Sequence, residues 1–164
     1  MGPAVASLKV CAMSLVLLSL LLAGPLASAA EPAPPAAPAP IAQGAMRNVP
    51  VGDPQRGVLL DTIRPGIQAR VGQPVQFMVD TLRIQGDWAF YAGSIQQPNG
   101  RPIDFSRTSY AEQLEEGMFD GPGTYALLQR TGGHWRLVDF VVGPTDMYHY
   151  GWPEEYGVPM SLVE

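Results

Sequence analysis

Two aspartates stand where a carboxylate is costly. Asp80 follows Met78 and Val79, and Asp139 lies between Leu137-Val138 and Phe140, so each interrupts an otherwise apolar run. A carboxyl group among apolar neighbours resists ionisation, and the raised pKa suits it to acid or base work. Two such groups facing one cavity divide those roles, as in glycosidase-type hydrolysis. That is the catalytic reading, with Asp80 and Asp139 as its candidates. The structural alternative is that each faces solvent or pairs with an arginine such as Arg83 or Arg136.

The second chemical feature is an aromatic segment near the end of the chain. Tyr148, His149, Tyr150, Trp152 and Tyr156 fall within nine residues and are punctuated by Gly151, Pro153 and Gly157. Their flat rings and polar tips suit stacking on a sugar or contact with a partner protein. They would serve equally well to fold back and cover an apolar sheet face, because such a surface rarely stays open on a monomer. The two histidines, His134 and His149, show no ligand spacing, neither HExxH nor His-x-His, so no metal is expected. The chain also lacks a Gly-x-Ser-x-Gly elbow, a phosphate loop with lysine and a Gly-x-Gly-x-x-Gly turn. No cofactor is implied.

The elements that must position these residues follow from punctuation and periodicity. Asp53-Pro54 reads as an N-cap with proline at the first helical position. Leu59, Ile63, Ile67 and Val71 then recur every fourth residue, one stripe of a helix that Gly72 ends. Pro65 lies inside that pattern, where a kink or break is expected. Residues 75–84 and 88–95 have strand composition, joined through Gly86-Asp87. Uninterrupted pairing from that loop sets Ile84 opposite Ala89, Leu82 opposite Tyr91 and Met78 opposite Ile95. Phe77, Val79, Phe90 and Trp88 then share the other face. Ser109 and Glu112 fit a capping box for a short helix that stops at Gly117. Residues 124–129 and 135–142 form a second hairpin around Gly132-Gly133, with Leu127 opposite Val138 and Tyr125 opposite Phe140. Pro153 and Gly157 bracket a single helical turn.

Where the protein works is written in the first thirty residues. Lys9, an apolar run over residues 15–23 and the small residues 27–30 have the layout of an export signal cleaved after Ala29 or Ala30. The rival reading is an uncleaved anchor, since residues 10–30 carry no charge and a span needs about 20 apolar residues. Gly24-Pro25 before the small residues favours cleavage. Residues 31–40 (EPAPPAAPAP) form a Pro/Ala tract suited to a semi-rigid spacer. The expected organisation is a signal over residues 1–30, a linker over 31–52 and one domain over 53–164. The single cysteine, Cys11, leaves with the signal, so the domain folds without disulfides and has no thiol chemistry. The only lysine leaves too, making the formal charge one unit more negative than −5. That balance disfavours nucleic acid and anionic lipid as partners.

The runs Gly143-Pro144-Thr145-Asp146 and Gly151-Trp152-Pro153-Glu154-Glu155-Tyr156-Gly157, with Gly72 to Val75 and Gly86 to Phe90, carry a resemblance. Over residues 53–162 the chain is similar to a group of uncharacterised secreted bacterial proteins, and the likeness implies no activity. The expected fold is α+β: an N-terminal helix packed on an antiparallel sheet of two hairpins, in a cystatin-like or NTF2-like arrangement. The expected role is a non-catalytic binding or assembly module of the bacterial envelope, periplasmic or secreted, with the tail as its contact surface. Its partner would be an envelope protein or small ligand, with no stable membrane insertion after cleavage. A hydrolase or isomerase using Asp80 and Asp139 is the alternative. Homodimerisation through an exposed strand edge is a third option.

Overall fold

Asp53 opens the first helix, α1 (Pro54–Val71): its backbone is extended and its Oδ1 accepts from the Gln55 N–H at 2.8 Å. The first turn of a helix has unpartnered N–H groups, and this carboxylate satisfies one of them. Arg47 donates to the other oxygen at 2.6 Å, and the two bonds hold the carboxyl below its ordinary pKa. At the far end Gly72 takes a left-handed φ of 65° and returns its N–H to Gln68. A computed structural model describes residues 44–164; the expected signal and the Pro/Ala tract lie outside the described residues.

The described residues form an α+β domain built on a five-stranded antiparallel sheet in sequential order. The strands are β1 (Arg47–Asn48), β2 (Gln76–Gln85), β3 (Trp88–Gln96), β4 (Gly123–Thr131) and β5 (His134–Val142). Three short helices complete it: α2 (Ala111–Glu115), α3 (Trp152–Tyr156) and α4 (Met160–Val163). β1 falls inside the stretch expected to be linker. It pairs with Arg83 and Ile84, and the Val49 N–H continues onto the Leu82 carbonyl.

Both faces of the sheet are covered. On one, Leu59, Ile63, Ile67 and Val71 of α1 share a cluster with Leu82, Ile84, Ala89, Tyr91, Ala126 and Leu128. Pro65 neither breaks α1 nor reaches the core, because it sits on the exposed side of the helix. The carbonyl it leaves unbonded is one turn back, at the solvent-exposed Asp61. Gly66 has a different reason: a Cβ there would lie 2.6 Å from Leu137, so the missing side chain lets α1 approach β5. On the other face, Trp88, Phe90 and Leu127 pack with Trp152, Val158, Leu162 and Val163 of the tail.

Two β-bulges correct the expected registers. Near the loops the pairing is as uninterrupted hairpins require, with Ile84 opposite Ala89 and Leu82 opposite Tyr91. The register then shifts between Val79 and Thr81, so Phe77 rather than Met78 faces Ile95. Phe77 and Val79 thereby pack with the α1 cluster instead of with Phe90 and Trp88. A second shift between Leu127 and Leu128 sets Leu127 opposite Asp139 and Tyr125 opposite Val141. The extra residues are Asp80 and Val138. A bulge adds one unpaired residue and turns every later side chain to the other face. The capping box is also absent. Ser109 Oγ donates to the Arg70 carbonyl at 3.1 Å, and Tyr110 stands at the N-cap of α2 with no side-chain bond.

The first bulge depends on Gly93, which lies opposite Val79. A Cβ at Gly93 would come 2.1 Å from the Met78 carbonyl oxygen, a backbone atom that cannot swing aside. Gly93→Ala should therefore lower the unfolding free energy by about 2–3 kcal/mol, the usual cost of overfilling a packed site. Urea denaturation followed by tryptophan fluorescence measures it, with an unchanged midpoint as the contrary outcome.

Candidate functional site

The second bulge decides what Asp139 does. Without it, Asp139 would oppose Ala126 and point under α1; with it, Asp139 stands on the face that carries Leu127 and Phe90. There its oxygens are committed. Oδ1 accepts from the neighbouring Phe140 N–H at 2.7 Å, and Oδ2 accepts from Trp152 Nε1 at 2.8 Å and from the Tyr156 hydroxyl at 3.2 Å. Burial of Tyr156, together with the carboxylates of Glu155 and Asp139, raises its phenol pKa, so at neutral pH it is a donor and not a base. The charge of Asp139 does the same to Tyr148, with burial second.

Asp80 lies elsewhere. As the bulged residue it is exposed, at the part of β2 that β1 does not reach. It lines a hollow of about 460 Å³ with Arg56, Pro50, Val51 and Arg83. The two carboxylates of the catalytic reading are therefore parted, one at the free edge of β2 and the other beneath the tail. Neither bulge has a compositional signature, although a polar residue inside an apolar strand marks one of them and adjoins the other.

The aromatic tail divides into an inner and an outer half. It runs as a 3-10 turn (Tyr148–Gly151), then α3, then α4, with Gly157 left-handed between the two helices at φ 70°. Pro153 and Gly157 bracket α3 as expected. Trp152 is fully buried, and its ring meets Phe90 edge-on at 6.2 Å. It therefore cannot offer a stacking surface, and neither can His149, which is only 4% exposed. His149 stacks on Tyr125 at 4.1 Å and on Tyr150 at 4.6 Å. Tyr156 is half-buried through its bond to Asp139. Tyr148 and Tyr150 remain 47% and 39% exposed, beside Met147 at 57%. Met160 of α4 is exposed as well, and α4 packs against the 3-10 turn.

The tail is also tied down at its far end. Ser161 Oγ donates to Gln85 Oε1 at 3.1 Å, and Arg83 donates to the backbone oxygen of Glu164. From Asp139 on β5 to Arg83 on β2, it crosses the sheet. His134 opens β5 on the far side of the Gly132-Gly133 turn, exposed and paired with Thr131. Among the described residues no cluster of His, Cys, Asp and Glu could hold a metal ion. None of their helices is long and apolar enough to cross a membrane. No family model, curated protein or solved structure matches the chain.

Two outcomes follow from this arrangement. In Asp139→Asn the amide offers one oxygen to three donors and turns its own N–H groups toward the rest. Stability should fall by about 2 kcal/mol, as expected when donors to a charged acceptor lose it. Loss of near-UV circular dichroism from Trp152 should accompany the shift in urea midpoint. His149 supplies the pH dependence. Burial lowers its pKa in the fold, and its Nδ1 has no hydrogen-bond partner among the described residues. The unfolded chain takes up the proton first, near pH ~6.5, so stability is full above that value. It is lost as pH falls toward the lower folded pKa, then levels. Denaturation between pH 8 and 5 should show that loss in the wild type and a flatter curve in His149→Gln.

Proposed function

We propose that this chain is an exported, non-catalytic binding or assembly module of the bacterial envelope, and that it meets its partner through the outer half of the aromatic tail. The carrying observation is the division of that tail. Trp152 and His149 are locked inside, while Met147, Tyr148, Tyr150 and Met160 stand exposed around the same turn. Aromatic rings held on a packed base lose little conformational freedom on binding, and methionines adapt to an irregular partner. Such a cluster has the composition of an interaction hot spot.

Other features support the setting. The export signal and Pro/Ala tract suit a domain held away from a membrane or released beyond it. The absence of cysteine after Cys11 leaves stability to packing alone. The order β1–α1–β2–β3–β4–β5, with the helix buried against the sheet, is the order a cystatin-like domain requires.

Tyr148→Ala combined with Tyr150→Ala changes two exposed rings and should leave the fold intact by circular dichroism. Capture of a partner from envelope extract should then drop by about tenfold or more, as when hot-spot rings are truncated. Capture equal to the wild type, with the double variant folded, removes the tail as the contact surface. N-terminal sequencing of the captured bait should begin near Glu31; an intact Met1 on cytosolic protein removes the envelope setting.

A further inference from the structure

All cations after Lys9 are arginines, and most are occupied. Arg47 pairs with Asp53, Arg64 with Asp61 and Arg130 with Asp87. Arg56 and Arg83 donate to backbone oxygens, and Arg70 lies over the Phe140 ring. Among the described residues, Arg101, Arg107 and Arg136 alone have no carboxylate, backbone acceptor or ring as partner. Two of these three line one hollow of about 460 Å³, together with Gln73, Gln97, Pro102 and Asp104. A volume of that size suits a small molecule.

The walls of this hollow are fixed by the chain itself. Gln73, just beyond α1, donates from Nε2 to the Asp104 carbonyl at 3.0 Å and accepts the Asp104 N–H at 3.3 Å. Gln97 donates from Nε2 to the Pro102 carbonyl at 2.9 Å, and its backbone N–H bonds the Arg101 carbonyl. Asn99 Oδ1 accepts the Arg101 N–H at 3.0 Å. Asp104 has one oxygen occupied by Ser106 at 2.6 Å. Two guanidinium groups against one carboxylate leave a single positive charge. Gln97 Oε1 remains an open acceptor, since its amide bonds only through nitrogen.

We infer that the Arg101–Arg107 hollow binds a small hydroxylated carboxylate, of the sugar-acid or hydroxy-acid class. The guanidinium forks match a planar carboxylate, and one negative charge neutralises the lining. Gln97 Oε1 accepts a ligand hydroxyl, and the polar walls disfavour an apolar body. This site is separate from the tail surface and does not depend on it.

Isothermal titration calorimetry on the purified protein at low salt tests the assignment, with glucuronate, glucose, acetate and inorganic phosphate as probes. Glucuronate should saturate at about millimolar concentration or below, and acetate, glucose and phosphate should bind at least about tenfold more weakly. Arg101→Gln and Arg107→Gln, both at exposed positions, should each weaken glucuronate by about tenfold or more. Arg136→Gln, equally exposed and unpartnered but outside the hollow, should stay within about twofold of wild type. No saturable glucuronate binding overturns the assignment. So does equal loss in all three variants, which would mean diffuse charge, or phosphate or glucose binding as tightly as glucuronate.

Discussion

Asp139 accepts three hydrogen bonds, and the closure of the sheet's second face depends on them. Trp88, Phe90 and Leu127 form an apolar surface that water would otherwise meet. The tail covers it because Trp152 and Tyr156 find a charged acceptor at the rim of that surface. A buried indole N–H without a partner is costly, so Trp152 enters the core only where Asp139 receives it. Packing and polarity thus act on one residue together. Trp88 shows the contrast: its Nε1 is buried without a hydrogen-bond partner among the described residues, and its ring packs in the apolar cluster.

Local chemistry was legible in the amino-acid order, and non-local chemistry was not. Asp53-Pro54 and Gly72 bound α1 because caps act within one turn of backbone. Gly86-Asp87 and Gly132-Gly133 set the pairing near each loop. Beyond those loops the bulges intervene, and each is a single added residue with an ordinary side chain. Asp80 looked chemical because it interrupts an apolar strand, yet the interruption marks the bulge. Asp139 looked buried and catalytic because apolar residues flank it in the chain, which does not show that a bulge sets it opposite Leu127 and beneath the tail. Two-residue β1 has no periodicity to read, and it is held by the edge of β2. Ser109 failed as a cap because a carbonyl at the end of α1, distant in sequence, captured its hydroxyl.

The candidate surfaces divide in the same way. Tyr148 and Tyr150 could be named from composition, but which rings of the tail stay outside required knowing where Asp139 stands. The arginine hollow had no trace at all, since residues 101–108 carry neither a motif nor a periodicity. It exists because Gln73, just past α1, and Gln97, just past β3, clasp that loop. Both proposed contact surfaces therefore lie in connections and the tail, while the sheet supplies position.

The tail that closes the sheet comes after every described strand, which sets an order on assembly. A ribosome delivers the polypeptide from its N-terminus, so α1 and the five described strands emerge before residues 152–163 do. Through that interval the face bearing Trp88, Phe90 and Leu127 is bare. Exposed apolar surface of this kind is what drives nascent chains to aggregate. Vectorial synthesis thus creates a short window in which that surface is open to other chains, and the window shuts when the indole of Trp152 reaches its carboxylate.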